Sequence, residues 1–274
     1  MIPAPTRRQI LERNRLEYDD AADPYWRLTV YDAVHGGWWF SSIGGRPALD
    51  WIAARAGLDP GAEVLELCSG LGDSARYLAL RHGCRPTGVE LNRWQVASAR
   101  RRLALRSPEL RRRVRFVHGD VLGFRRGGPY DAVYAMDALM LLEDRAGALA
   151  RARALLRPGG CAAFADVLAG PAITPEVRRF VWEEDGILGL PGPAEQREQL
   201  AAAGFEAAEV VDRTDLAIDC FARVEAASER HREELVAAKG EARYRSWLDN
   251  AGTYRRYFEK RALIYALFAA RSPL

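Results

Sequence analysis

Glu63-Val-Leu-Glu-Leu-Cys-Ser-Gly-Leu-Gly-Asp73 decides how this 274-residue chain is read. Glu63–Leu67 is a short β-prone run, Cys68–Gly72 a glycine-bearing turn, and Asp73–Arg81 a helical stretch ended by Gly83. Glycines in such a turn let a ligand approach the backbone, and the helix that follows offers free N–H groups. Working outward, Pro86–Glu90, Val114–His118, Tyr130–Ala135 and Cys161–Val167 are further strand candidates. Helix patterns at Arg93–Leu105 and Asp144–Leu156 separate them, the second stopped by Arg157-Pro-Gly-Gly160. Strands alternating with helices of this length predict an α/β fold with a parallel sheet covered on both faces.

The flanks read differently. The first fifty-odd residues are helical and aromatic (Tyr18, Tyr25, Trp26, Tyr31, Trp38, Trp39, Phe40), ahead of a helix near Ala48–Ala56. Beyond the fifth strand come a helical segment Ala172–Leu190, a helix Ala194–Ala203, a strand Ala207–Asp212, a charged helical stretch Glu225–Phe258 and a last strand Ala262–Ala270.

Composition narrows the classes. Hydrophobic residues are 49% and charged residues 28%, an ordinary globular balance. A net charge of +3 is too mild to imply nucleic acid or an anionic membrane as partner. Lys239 and Lys260 are the only lysines, a compositional bias. Cys68, Cys84, Cys161 and Cys220 are too scattered for a metal site or disulfide framework. No apolar run approaches membrane-spanning length, and Arg7, Arg8 and Glu12 stand where a signal peptide would be apolar. A cytoplasmic protein is expected. The arginines at 100–102, 106, 111–113 and 115 lack interleaved aromatics and read as helix surface rather than an RNA track.

Three acids give the turn its meaning. Glu66 stands before it, Glu90 lies eighteen residues beyond Gly72 at the next strand's end, and Asp120 follows the third strand. One crevice at the carboxyl edge of the sheet could use all three. Glu66 and Asp73 together would repel a diphosphate, which argues against a dinucleotide oxidoreductase.

With these residues in place the sequence resembles the class I S-adenosylmethionine-dependent methyltransferases, over about residues 55–170. The family's E/D-x-G-x-G-x-G pattern is met by Glu66, Cys68, Gly70 and Gly72, with Cys68 departing from the first glycine. Glu90 with Leu91 matches the ribose-binding position, Asp120-Val121 the adenine-contacting pair, and Met136 would face the methionine moiety. The resemblance implies a Rossmann-like sheet of seven strands, mostly parallel with the last antiparallel, under a helical cap. It divides the chain into an N-terminal lid segment (1–57), a cofactor core (58–170) and cap helices with C-terminal strands (171–274). It implies S-adenosylmethionine as cofactor, a small-molecule acceptor, no metal, and a setting in bacterial natural-product or antibiotic biosynthesis; it allows a homodimer. Where many small-molecule members carry a histidine, this chain has Leu141. That absence mildly favours a nucleophile already competent, such as a neutral amine or electron-rich carbon, among N, O and C acceptors.

His35 and Asp137 are the candidate catalytic residues, as a base or orienting group and as an acid beside the substrate approach. Tyr25, Trp38, Trp39, Asp166 and Trp182 are the candidate substrate contacts, the aromatics through packing and cation–π attraction. Each has a plainer alternative in core packing or helix capping.

Overall fold

The computed structural model describes residues 23–125 and 127–274, so Tyr18 and the head of the N-terminal segment lie outside the described residues. Seven strands form one sheet: β1 Glu63–Leu67, β2 Arg85–Glu90, β3 Arg115–His118, β4 Tyr130–Met136, β5 Leu156–Ala169, β6 Glu206–Asp212 and β7 Leu263–Arg271. Their spatial order is β3-β2-β1-β4-β5-β7-β6. The pairs among β1 to β5 are parallel, and β7 runs antiparallel to both β5 and β6. This is the Rossmann-like arrangement expected from the sequence. The order reverses between β1 and β4, and a crevice opens beyond their carboxyl ends.

Helices α1 Gly45–Ala56, α2 Asp73–His82, α3 Arg93–Ala104, α4 Pro108–Arg113, α5 Arg145–Leu155 and α7 Pro193–Ala202 accompany the sheet. Consecutive residues Val64, Leu65 and Leu67 of β1 are all buried, because helices cover both faces. Leu65, Val133, Phe164 and Phe268 pack under Leu149 and Leu200 on one face. Val64, Tyr134 and Ala163 pack under Leu49, Ile52 and Leu78 on the other.

A cap of four elements sits at the carboxyl end: a π-helix Tyr25–Asp32, α6 Pro175–Asp185, α8 Thr214–Arg230 and α9 Arg232–Glu259. Tyr25 and Leu28 pack on Leu235 and Tyr244 of α9, and Val30 and Tyr31 on Val224 and Ala251.

Three of the boundaries that differ from expectation stand out. β5 starts at Leu156 rather than Cys161, because Arg157–Gly160 belongs to the strand, where its pairing with β4 shifts between Tyr130 and Ala132. The stretch Glu225–Phe258 is two helices that meet at His231, the second kinked at Gly240 (φ 82°). α8 also begins eleven residues earlier, where Asp212 accepts hydrogen bonds from the Thr214 N–H (2.9 Å) and hydroxyl (2.6 Å).

Candidate active site

β1 ends one residue before a turn that needs left-handed backbone at three places: Cys68 (φ 56°), Gly70 (φ 50°) and Gly72 (φ 77°). Cys68 holds a conformation that favours glycine, at a cost on the order of 1–3 kcal/mol. The glycines serve different ends. A Cβ on Gly72 would stand 2.2 Å from the Phe116 ring, so packing excludes it, whereas a Cβ on Gly70 would meet open space.

Glu90 ties the turn to the next strand. Its Oε2 accepts from the Gly70 N–H (3.0 Å) and its Oε1 from the Asn92 N–H (2.7 Å). Burial raises its pKa while these N–H groups oppose the shift. Asp120 Oδ1 accepts from the Leu122 N–H (3.0 Å), the Leu91 carbonyl lies 3.0 Å from His118 Nε2, and Val121 is buried in the core. Glu66 is fully enclosed, its Oε2 lacks a hydrogen-bond partner, and burial pushes its carboxyl up to about 8.

Between the turn and residues 39–42 lies a narrow cleft of about 30 Å³, bordered also by Glu66 and Met136. Ser41, Ser42 and Met136 separate it from a second cavity of about 200 Å³ beneath the cap, since they line both. His35 and Asp137 line the second cavity with Leu141, Phe221, Trp247 and Tyr254.

His35 is buried, packs edge-on against Phe40 (5.5 Å), and leaves Nε2 without a hydrogen-bond partner. Burial holds its pKa down to about 4, against the Ser42 backbone, which pulls the other way. Asp137 sits just past β4 with φ 49°. Its Oδ2 accepts from the Ile43 N–H (2.6 Å) and its Oδ1 from the Tyr265 hydroxyl (2.8 Å), which itself accepts from the Gly44 N–H (3.1 Å). Burial pushes the Asp137 carboxyl up to about 7.

Comparison with known proteins agrees with this geometry. Residues 64–160 match a family described as methyltransferase domain. The chain is 23% identical over 244 residues to (+)-O-methylkolavelool synthase of Herpetosiphon aurantiacus, covering 86% of this chain and 85% of that protein. It is 25% identical to 27-O-demethylrifamycin SV methyltransferase of Amycolatopsis mediterranei, covering 93% and 95%. Phosphoethanolamine N-methyltransferase 2 of Haemonchus contortus, solved with phosphomonomethylethanolamine and S-adenosylhomocysteine, superposes with a TM-score of 0.83 at 21% identity. That match covers 98% of this chain and 61% of the nematode chain. The chain is a class I S-adenosylmethionine-dependent methyltransferase.

The residues present fit the cofactor. The cleft pairs open space beside Gly70 with an unpartnered Glu66 oxygen and an unpartnered Ser69 hydroxyl. A carboxyl there suits a ligand carrying ammonium and sulfonium charge. Cys68, Gly70, Gly72, Glu66 and Met136 border the cleft directly, while Glu90, Leu91, Asp120 and Val121 lie on or just past the neighbouring strands. Asp73 does not add negative charge as the sequence suggested. Arg76 and Arg102 both pair with its buried carboxylate, Arg102 at 2.9 Å. Arg102 therefore leaves the expected solvent face, and its guanidinium lies 3.6 Å from the Trp39 ring centroid. Tyr31 stacks on the same Trp39 at 5.5 Å, and Trp39 borders the narrow cleft, not the second cavity.

Four expected substrate contacts line neither cavity. Tyr25 is buried against α9, donating its hydroxyl to the Leu235 carbonyl (3.0 Å). Trp38 stacks on Phe40 and meets Tyr77 edge-on, half-buried against the core. Asp166 lies inside β5 rather than at its end, paired with Arg145 (2.7 Å), which also donates to Gln196. Trp182 sits on α6 and donates no side chain to the cavity wall, where Asp185 of the same helix stands instead. Trp26, Phe221, Trp247 and Tyr254 line the cavity instead, and none of them was among the expected contacts. The aromatic spacing on α9 was visible, but nothing local marks which face closes a cavity.

Proposed function

We propose that this methyltransferase transfers a methyl group to a hydroxyl oxygen of a small, largely apolar acceptor held beneath the cap. One observation carries the reading: His35, neutral and with Nε2 unpaired, lines the same cavity as Leu141. The missing histidine at 141 thus leaves the cavity with a histidine from another wall, and the preference for an already competent amine or carbon gives way to oxygen. Two relatives of nearly full length carry O-methylation in their names, which supports it.

When bound, S-adenosylmethionine supplies a methyl group on a sulfonium sulfur and departs as the neutral thioether. His35 accepts a hydrogen bond from the acceptor hydroxyl and fixes its lone pair. As the oxygen–carbon bond forms, that oxygen becomes far more acidic than an imidazolium of pKa about 4. The proton then moves downhill to Nε2, so a weakly basic histidine suffices. Asp137 is a positioning residue in this scheme, because both its oxygens hold Ile43 and Tyr265. A largely apolar cavity beneath the cap suits a small natural-product acceptor, and the setting proposed is the cytoplasm, with no nucleic-acid partner.

The test is incubation with S-adenosylmethionine and a panel of terpenoid and polyketide alcohols, reading methylated products by mass. His35→Ala should lower kcat by about 100-fold, within the range of general-base contributions, and leave S-adenosylhomocysteine affinity unchanged. The wild-type acid limb should fall near pH 4 rather than 6.5. Methylation confined to nitrogen or carbon acceptors would defeat the oxygen assignment.

A further inference from the structure

The acceptor cavity is unusual for its charge. The chain carries 40 lysines and arginines, yet among the described residues none lines this cavity. Its two ionisable acids are Asp137 and Asp185. Arg46 and Arg223 come near enough to depress the His35 pKa but stay outside the wall. Arg243 lies 5.7 Å from the Trp247 ring centroid and likewise stays outside.

Among the residues that line it, the buried polar atoms left unpaired are neutral ones: His35 Nε2, the Ser42 hydroxyl and the Trp247 indole N–H. Such atoms satisfy hydroxyl, ether or carbonyl oxygens and do not balance a full charge. An anion buried here would lose its hydration, meet no cation among the described residues of the wall, and face two carboxyl groups.

We infer that the cavity rejects anionic acceptors, so that the substrate is a neutral or cationic molecule without phosphate, sulfate or carboxylate. This rests on the methyltransferase reading of the same site. It separates the chain from its nematode neighbour of like fold, whose solved ligand is a phosphate ester. Selection by charge follows from the lining side chains, not from the shared sheet.

Two dyes that differ by one sulfonate test it: neutral N-phenyl-1-naphthylamine and anionic 8-anilino-1-naphthalenesulfonate. Each is titrated by fluorescence into enzyme saturated with S-adenosylhomocysteine, and cavity binding is the part lost in Ala251→Trp. The neutral dye should bind the cavity at least about thirty-fold more tightly than the sulfonate. Leu141→Lys should then bring the sulfonate in and weaken the neutral dye. Calorimetry with S-adenosylhomocysteine verifies that each variant folds. Equal cavity affinities, no cavity binding by the neutral dye, or no gain for the sulfonate in Leu141→Lys would overturn the inference. If S-adenosylhomocysteine itself fails to bind, the methyltransferase reading fails instead, so the two failures are distinguishable.

Discussion

The cofactor cleft and the acceptor cavity share Ser41, Ser42 and Met136, yet they are built in opposite ways. The cleft draws most of its wall from one contiguous stretch, Glu66–Ser74, held by backbone geometry and a single carboxylate from β2. The cavity is assembled from the π-helix, the end of β4, α6, α8 and α9, almost entirely through side chains. The cleft is thus encoded locally, while the shape of the cavity depends on how distant helices pack. Substitutions in the turn should alter cofactor affinity and spare acceptor handling; those in the cavity wall should do the reverse.

The strongest test of that division is Glu90→Ala. It removes the acceptor of two backbone N–H groups, and hydrogen bonds to charged groups are worth about 1.5–3 kcal/mol each. Affinity for S-adenosylhomocysteine should fall by about 100-fold in calorimetry, equivalent to about 2.7 kcal/mol, and Glu90→Gln should lie between. An unchanged affinity would detach Glu90 from the cofactor.

The turn glycines sharpen the comparison, because they predict different losses from the same change. In Gly72→Ala the new methyl meets Phe116, and stability should drop by about 1–3 kcal/mol in chemical denaturation. In Gly70→Ala the methyl enters open space, so the stability cost is only the strained backbone, about 1 kcal/mol. Cofactor affinity should nevertheless fall by about ten-fold, since that space is where the ligand approaches the backbone. A Gly70→Ala enzyme that binds S-adenosylhomocysteine normally would move the cofactor out of this cleft.

The same contrast explains what was legible in the sequence. β1 and β2 begin and end within a residue of expectation, because strands buried on both faces and bounded by glycine or proline carry their own signal. The acids at 66, 90 and 120 were legible for the same reason: strand ends fix them at one edge. The cap was not. Tyr25, Trp38 and Trp182 look alike in sequence to Trp26, Trp247 and Tyr254, and only the crossing of the helices decides which rings pack together and which face the cavity. Asp166 was misplaced because β5 runs two residues further than expected, to Ala169, which turns an apparent edge acid into a buried partner of Arg145. Asp73 misled for a related reason: Arg76 pairs with it from the next turn of α2, and Arg102 reaches it from α3, a separate helix that the motif does not include.

Glu66 offers the smallest effect and the most specific one. Its folded value of about 8 lies above the ordinary 4.5 of the unfolded chain, so the folded protein keeps a proton that the unfolded chain releases between those values. The stability it contributes is full below pH 4.5 and is lost as pH rises through 8. Glu66→Gln keeps the shape without the titration, so its Tm should match wild type at pH 5 and exceed it increasingly toward pH 8.5. A cationic cofactor in the cleft reverses the preference, because it favours the ionised carboxylate. Wild-type affinity for S-adenosylmethionine, which carries the sulfonium charge, should therefore rise from pH 6 to 8.5, and Glu66→Gln should remove that slope. A slope that persists in the variant would mean that another group releases the proton, and that the cleft does not read the charge of the cofactor through Glu66.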